Sequence, residues 1–367
     1  MTHLDLGPRD DFPDFLRTED TGITSLSMNG VKFSPEEIDA MASSGRLLIG
    51  LLGVTSLKIE NMTSFPWVIL ISCVMLKKVE IRNVDFPNAA WKSSHHRRRP
   101  RLQSLTCTRL QETTVLSLLA IVDVAGLRYL EYELAPEELD GAKGLQHILD
   151  LCGNTLQSLT LHSPVSFLLY TGDDKTVCDL SQQFALKRLV FISAFYPELE
   201  AADDASPRLH VLSPMLSTIS RRSCVLELIE CKISIPLDVE NMIMLRSRRK
   251  FPWPSEYPEP IQFFRQQGWT ALDISIARVA SVHPMRVFVN VTGVINEAMH
   301  WAYNPARYPG DNFTMRVLMD HWGKQTFVAV RELQNVDFEV DVNIQQLPLS
   351  SAIVESLFPS WKCVTLG

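Results

Sequence analysis

Apolar residues fall at i, i+3 and i+5 in seven short segments: Ile23/Leu26/Met28, Val54/Leu57/Ile59, Leu76/Val79/Ile81, Leu102/Leu105/Cys107, Leu127/Leu130/Tyr132, Leu156/Leu159/Leu161 and Leu186/Leu189/Phe191. Their first positions recur about every 20 to 30 residues, the period of stacked units built from one strand and one helix. A unit of that size cannot bury its apolar face alone, so neighbours must supply a continuous core. Side chains alternate along a strand, which sends i+3 and i+5 inward and i+2, i+4 and i+6 to the opposite, concave face. Between the strands, residues 34–52, 111–124, 136–152 and 167–184 have helical length and patterning. The third opens on Pro136-Glu137-Glu138 and meets Gly153 just past its end, while Ser34-Pro35-Glu36-Glu37 reads as N-cap, first-turn proline and capping glutamate.

Strand and helix in alternation imply right-handed crossovers, and so parallel strands along one curved sheet. The expected fold class is α/β: an irregular leucine-rich-repeat solenoid, with parallel strands on the concave face and helices outside, followed by an atypical C-terminal α/β part. Residues 1–22 are acidic and expected to be a poorly ordered lead-in, with the fold starting near Ile23. The solenoid is assigned to 23–235, and residues 226–233 supply a candidate eighth strand. Prolines at 252, 254, 258 and 260 make 236–268 a boundary loop. In 269–367, segments 272–276, 287–291, 327–330 and 336–342 read as strands, the last by strict alternation. That part either continues the solenoid atypically or caps it.

The alternation assigns a partner-binding face, whose members include Lys58, Glu60, Lys78, Glu80, Arg82, Tyr129, Glu131, Glu133, His162 and Arg188. Position i+8 holds Val31, Met62, Val84, Leu110, Ala135, Pro164 and Ala194, so no asparagine ladder is expected there.

Composition narrows the function classes. The chain has 367 residues, 46% apolar and 21% charged, an ordinary globular balance. Its formal charge of -7 offers no global field for nucleic acid. The longest apolar stretch, 65–76, falls short of the roughly 18 residues that span a bilayer, and 1–20 lack an apolar signal core. Neither nucleic acid nor membrane is an expected partner. The 7 cysteines, with no C-x-x-C pair, read as reduced thiols of a cytoplasmic or nuclear protein.

No phosphate-cradling glycine loop, H-E-x-x-H, G-x-S-x-G or metal-type cysteine spacing is present. No catalytic residue, cofactor or metal is therefore expected. Cys107 occupies an inward position, where a small hydrophobe belongs. Two basic runs, 92–101 and 246–250, suit a solvated loop, a nuclear-import signal or contact with a phosphorylated partner.

The phrases Val54-Thr-Ser-Leu-Lys-Ile59, Leu76-Lys-Lys-Val-Glu-Ile81, Leu102-Gln-Ser-Leu-Thr-Cys107 and Leu156-Gln-Ser-Leu-Thr-Leu161 resemble the degenerate leucine-rich repeats of fungal F-box proteins. The likeness covers about residues 23–235, and no L-P-x-E-like F-box helix is read ahead of it. It implies a non-enzymatic protein-recognition module related to the substrate-recognition subunits of Skp, cullin and F-box ubiquitin ligases, with a Skp-type adaptor among its partners. The alternatives are a structural scaffold, or an enzyme with an unrecognised site in 270–367 near His283, His300, Asp320 and His321.

Overall fold

The computed structural model of the chain describes residues 3–10, 22–38, 48–86, 99–133, 141–163, 178–194, 212–219, 225–236, 267–296 and 326–347. They belong to two units, the first Met1–His162 with Asp173–Lys187 and the second Ser163–Gly172 with Arg188–Gly367. Both are α/β, with parallel strands laid down in chain order and helices in the connections.

The first unit carries strands β1 (His3–Leu6), β2 (Ser25–Asn29), β3 (Ser56–Met62), β4 (Lys78–Val84), β5 (Ser104–Thr108), β6 (Tyr129–Glu133) and β7 (Ser158–Ser163). A single 3-10 turn at Ile49–Leu51 and helices α1 (Trp67–Ser72), α2 (Glu112–Ile121) and α3 (Gly141–Cys152) lie between them. Register follows the repeat: Leu26 lies beside Leu57, Leu57 beside Val79, Val79 beside Leu105, Leu105 beside Leu130 and Leu130 beside Leu159. Every residue of the i, i+3 and i+5 triplets is buried, from Ile23 to Phe191. Burying one such aliphatic side chain contributes about 1.5 to 3 kcal/mol.

The backbone repeats as strictly as the side chains. The carbonyl at i+1 accepts two N–H groups from the next unit: Thr24 O from Thr55 and Ser56, Thr55 O from Lys77 and Lys78, Lys77 O from Gln103 and Ser104, Gln103 O from Arg128 and Tyr129. At i+7 the chain turns through a left-handed residue, at Gly30, Asn61, Asn83 and Arg109, with φ of 65°, 54°, 51° and 54°. The turn drops the next residue, Val31, Met62, Val84 or Leu110, into the core. The i+8 position is thus apolar and inward in each of these four units. An amide chain does exist nearby: Asn83 Nδ2 donates to Asn61 Oδ1 (3.0 Å) and Asn61 Nδ2 to Asn29 Oδ1 (3.1 Å).

Helices cover the inward face. A Cβ on Gly144 of α3 would stand 3.0 Å from Tyr132 Oη and 3.4 Å from Val115 of α2, so glycine permits the close approach. The capping box forms as read: Glu37 N donates to Ser34 Oγ (3.2 Å) and Ser34 N to Glu37 Oε2 (2.9 Å), with 35–38 helical.

The second unit contains β8 (Arg188–Ala194), α4 (Leu212–Thr218), β9 (Leu228–Pro236), α5 (Gln267–Ala280), β10 (Met285–Asn296), α6 (Val328–Arg331) and β11 (Val336–Leu347). Strands β8 to β11 pair in parallel with their sequence neighbours. The strand expected at 226–233 is β9, with Leu226, Ile229 and Cys231 buried in the same phase as the earlier triplets.

Several expectations are corrected. The sheet begins ahead of Ile23, because His3–Leu6 pairs with Ser25–Met28 and buries Leu6. Segment 272–276 is helical: Trp269, Leu272, Ile276 and Val279 are buried at helical spacing, a period that five residues cannot display. Segment 327–330 is helical from Val328, where α6 begins, and Phe327 just before it plugs the core against Trp269 (6.0 Å between ring centroids) and Phe338 (5.3 Å). Asp273 of α5 accepts from Ala329 N (2.8 Å) and Val330 N (3.0 Å), satisfying the free donors that begin α6. No helix is present in 178–184, the described end of the segment read as 167–184. Residues 11–21, 39–47, 164–177 and 237–266, the last holding the proline-rich segment, lie outside the described residues.

Candidate recognition face

Inward burial of i+3 and i+5 forces the intervening side chains to the other side of each strand. All ten residues assigned to the partner face are half-buried or exposed, and Tyr129 is 53% exposed. Nine belong to the first unit. Arg188 belongs to the second.

Parallel register turns the outward positions into rows. The i+4 row of the first unit runs Ser27, Lys58, Glu80, Thr106, Glu131, Thr160, and the i+6 row begins Asn29, Glu60, Arg82, Thr108. Glu133 and His162 continue the i+6 row side by side. Small hydroxyls thus alternate with charges of both signs. Lys58 Nζ lies 3.0 Å from Glu60 Oε2, and Lys78 Nζ lies 2.6 Å from Glu80 Oε1. Arg109 Nε stands 3.9 Å from Glu133 Oε1. His162 Nε2 donates to Glu131 Oε1 at 2.8 Å. That hydrogen bond outweighs partial burial and holds the Glu131 carboxyl below the usual glutamate range.

In the second unit Arg188 Nη2 donates to Glu230 Oε2 (2.9 Å), and Lys232 Nζ lies 3.0 Å from Glu230 Oε1. Burial pushes the Glu230 carboxyl up, but Lys232 and Arg188 more than offset it, and it stays below the usual range. Arg286 Nη2 reaches Glu339 Oε2 (3.0 Å), and Asn290 Nδ2 donates to Asp341 Oδ2 (3.2 Å). The sequence reading missed Glu230 and Lys232. Its own rule would have found them, since they are i+4 and i+6 of the triplet Leu226, Ile229, Cys231.

These charges range from largely buried to exposed, and most pair with a neighbour, an arrangement that suits reading a polar surface. Cys107 lies in the core, where burial pushes its thiol up to about 12. At neutral pH it is a packed, uncharged side chain. Among the described residues, no group of three or more His, Cys, Asp or Glu is placed to hold a metal ion. No helix among them is long and apolar enough to cross a membrane. His300, Asp320 and His321, the basis of the enzymatic alternative, lie outside the described residues, as do residues 92–98 and 246–250 of the basic runs. No family model, curated protein or solved structure matches this chain.

Proposed function

We propose that the chain is a non-enzymatic protein-recognition module, an irregular leucine-rich-repeat solenoid whose open sheet face binds another protein. The observation that carries this reading is the register of outward rows across β3 to β6, which sets Lys58, Glu80 and Glu131 on one line and Glu60 beside Arg82 on the next. Fixed charges of both signs on a stiff sheet confer orientation and partner choice more than raw affinity. Tyr129 adds an exposed aromatic of the kind that anchors interfaces. Cys73, Cys107, Cys152, Cys178 and Cys231 are buried free thiols, which suits a reducing compartment, the cytoplasm or nucleus. The resemblance of the repeats to those of fungal F-box proteins makes a Skp-type adaptor the first partner to test.

The test is quantitative affinity capture with the full chain and with a Glu80→Ala/Glu131→Ala double variant. Proteins held by the face should be lost from the variant while its melting temperature stays close to the parent's. Unchanged capture would remove the face from consideration. Stoichiometric recovery of the adaptor would place the chain in a ubiquitin ligase, and its absence alongside other specific partners would leave a stand-alone module.

A further inference from the structure

Away from the open sheet face, Arg101 stands between two depressions in the first unit. One is a cleft of about 250 Å³ lined by Arg101, Gln103, Gly126, Arg128 and Thr155. The other, about 540 Å³, is walled by Leu119, Val122, Val124, Ala125 and Leu151, with Arg99, Arg101 and Asp123 at its polar edge. Leu151 is 54% exposed, an uncovered aliphatic side chain on the last turn of α3.

The backbone that carries these groups is pinned. Leu102 N donates to Asp123 O (2.8 Å) and Asp123 N to Pro100 O (2.8 Å), which fixes the chain on both sides of Arg101. Arg128 N donates to Gln103 O (2.8 Å), and Arg128 O accepts from Gln157 N (2.8 Å). The Arg101 side chain lies flat over Gly126, where a Cβ would stand 2.7 Å from its Nε. Glycine is therefore the residue that lets this guanidinium fall between the two depressions. Among the described residues, the side chains of Arg99, Arg101 and Arg128 make no ion pair or hydrogen bond, unlike Lys58, Lys78 and His162 of the sheet face.

The carboxylate and the guanidiniums are unequally placed. Asp123 accepts from Ala125 N (2.9 Å) and borders only the larger depression, so the smaller cleft has no carboxylate in its lining. The Thr155 hydroxyl hydrogen is taken up by backbone carbonyls, Ala125 O (3.0 Å) or Cys152 O (3.2 Å), which leaves two guanidinium forks and the Gln103 amide as donors in the smaller cleft. Planar forks of this kind match the oxygens of carboxylate and phosphate. We infer that this site binds an extended peptide segment, with an oxyanion side chain, phosphoserine or glutamate, between Arg101 and Arg128 and a neighbouring aliphatic side chain against Leu119 and Leu151. The site is separate from the sheet-face reading and stands or falls without it.

The experiment presents the full chain with three positional-scanning peptide libraries that share a randomised context around a fixed phosphoserine, glutamate or serine, read by fluorescence anisotropy. The phosphoserine and glutamate libraries should bind, with aliphatic residues enriched beside the fixed position, and their relative strength identifies the oxyanion. Arg101→Ala and Arg128→Ala should each weaken the best peptide about tenfold, the scale of a lost charge-assisted hydrogen bond. Gly126→Ala should do the same with every charge retained, because the new methyl group evicts Arg101. Leu151→Asp should abolish the aliphatic preference, and Glu80→Ala/Glu131→Ala should leave binding unchanged. Melting temperatures confirm that each variant folds, and Arg101→Gln replaces Gly126→Ala if the latter does not. Equal binding of the serine library, or indifference to Arg101→Ala and Arg128→Ala, overturns the proposal. So does inorganic phosphate that binds as tightly as any peptide.

Discussion

Asn61 carries a backbone duty and a side-chain duty at once. Its φ of 54° places it in the left-handed region, which costs an ordinary L-residue roughly 1 to 2 kcal/mol. Its side chain donates to Asn29 and accepts from Asn83. Asn61→Gly should keep the turn and lose the amides. Asn61→Val should lose both and cost about 1 kcal/mol more, a β-branched residue being the poorest fit to that region. Urea unfolding of the two variants measures the difference, and equal stabilities would show that the turn does not demand the left-handed conformation. Glu131 supplies the residue-scale prediction for pH. His162 holds its carboxyl below the ordinary value of 4.5, so just below that value the unfolded chain binds more protons than the folded one and stability rises with pH. The contribution is complete above the ordinary glutamate range and disappears as pH falls through the lower folded value. Glu131→Gln should therefore flatten part of the acid limb of stability measured between about pH 6 and about pH 3. An unaltered limb would mean that the hydrogen bond to His162 contributes nothing in solution.

At the scale of the element, the strands follow one rule, and its cost can be measured in a single repeat. Leu159 of β7 is fully buried, so Leu159→Ala should cost about 2 to 5 kcal/mol. Gln157, next but one, takes part in the sheet through its backbone, donating to Arg128 O and accepting from Lys187 N. Gln157→Ala should stay within about 0.5 kcal/mol of the parent. Chemical denaturation separates the two, and similar losses would contradict the inward and outward assignment. The rule was legible because an apolar residue at i, i+3 and i+5 survives in every repeat even where spacing drifts. Elements whose character depends on packing were not legible. The stretch 272–276 alternates like a strand over five residues, yet Trp269 and Val279, outside that window, set its helical phase. Phe327 reads as a strand residue because it is aromatic and flanked by valine, while its place is decided by Trp269 and Phe338. Strand β1 offers only Leu4 and Leu6 as alternating apolar residues beside an acidic segment. The open face followed directly from the strand rule. The cleft at Arg101 did not, because it joins positions on either side of the first residue of the inward triplets with the ends of two helices.

At the scale of the molecule, among the described residues each strand pairs only with its neighbours in sequence, from β1 to β7 in the first unit and from β8 to β11 in the second. Stability in such a chain is close to a sum of unit and nearest-neighbour terms, so a local defect should weaken its surroundings and fade with distance along the repeats. Leu26 is fully buried in β2, and Leu26→Ala opens a cavity between β1 and β3. Native-state hydrogen exchange followed by mass spectrometry should then show faster exchange in peptides covering β1 to β3. Peptides covering β10 and β11, with twelve paired positions between them, should exchange at parental rates. A uniform rise across both units would mean that the chain opens as one cooperative body, and the additive description would fail. Val289→Ala in β10 provides the reciprocal arm, since Val289 is equally buried. Its effect should concentrate in β9 to β11 and leave β2 and β3 protected. Agreement of the two arms would also clear the sheet-face and cleft variants of a common objection, because a loss of binding at Glu80, Glu131 or Arg101 could then be assigned to the substituted site rather than to unfolding spread from elsewhere.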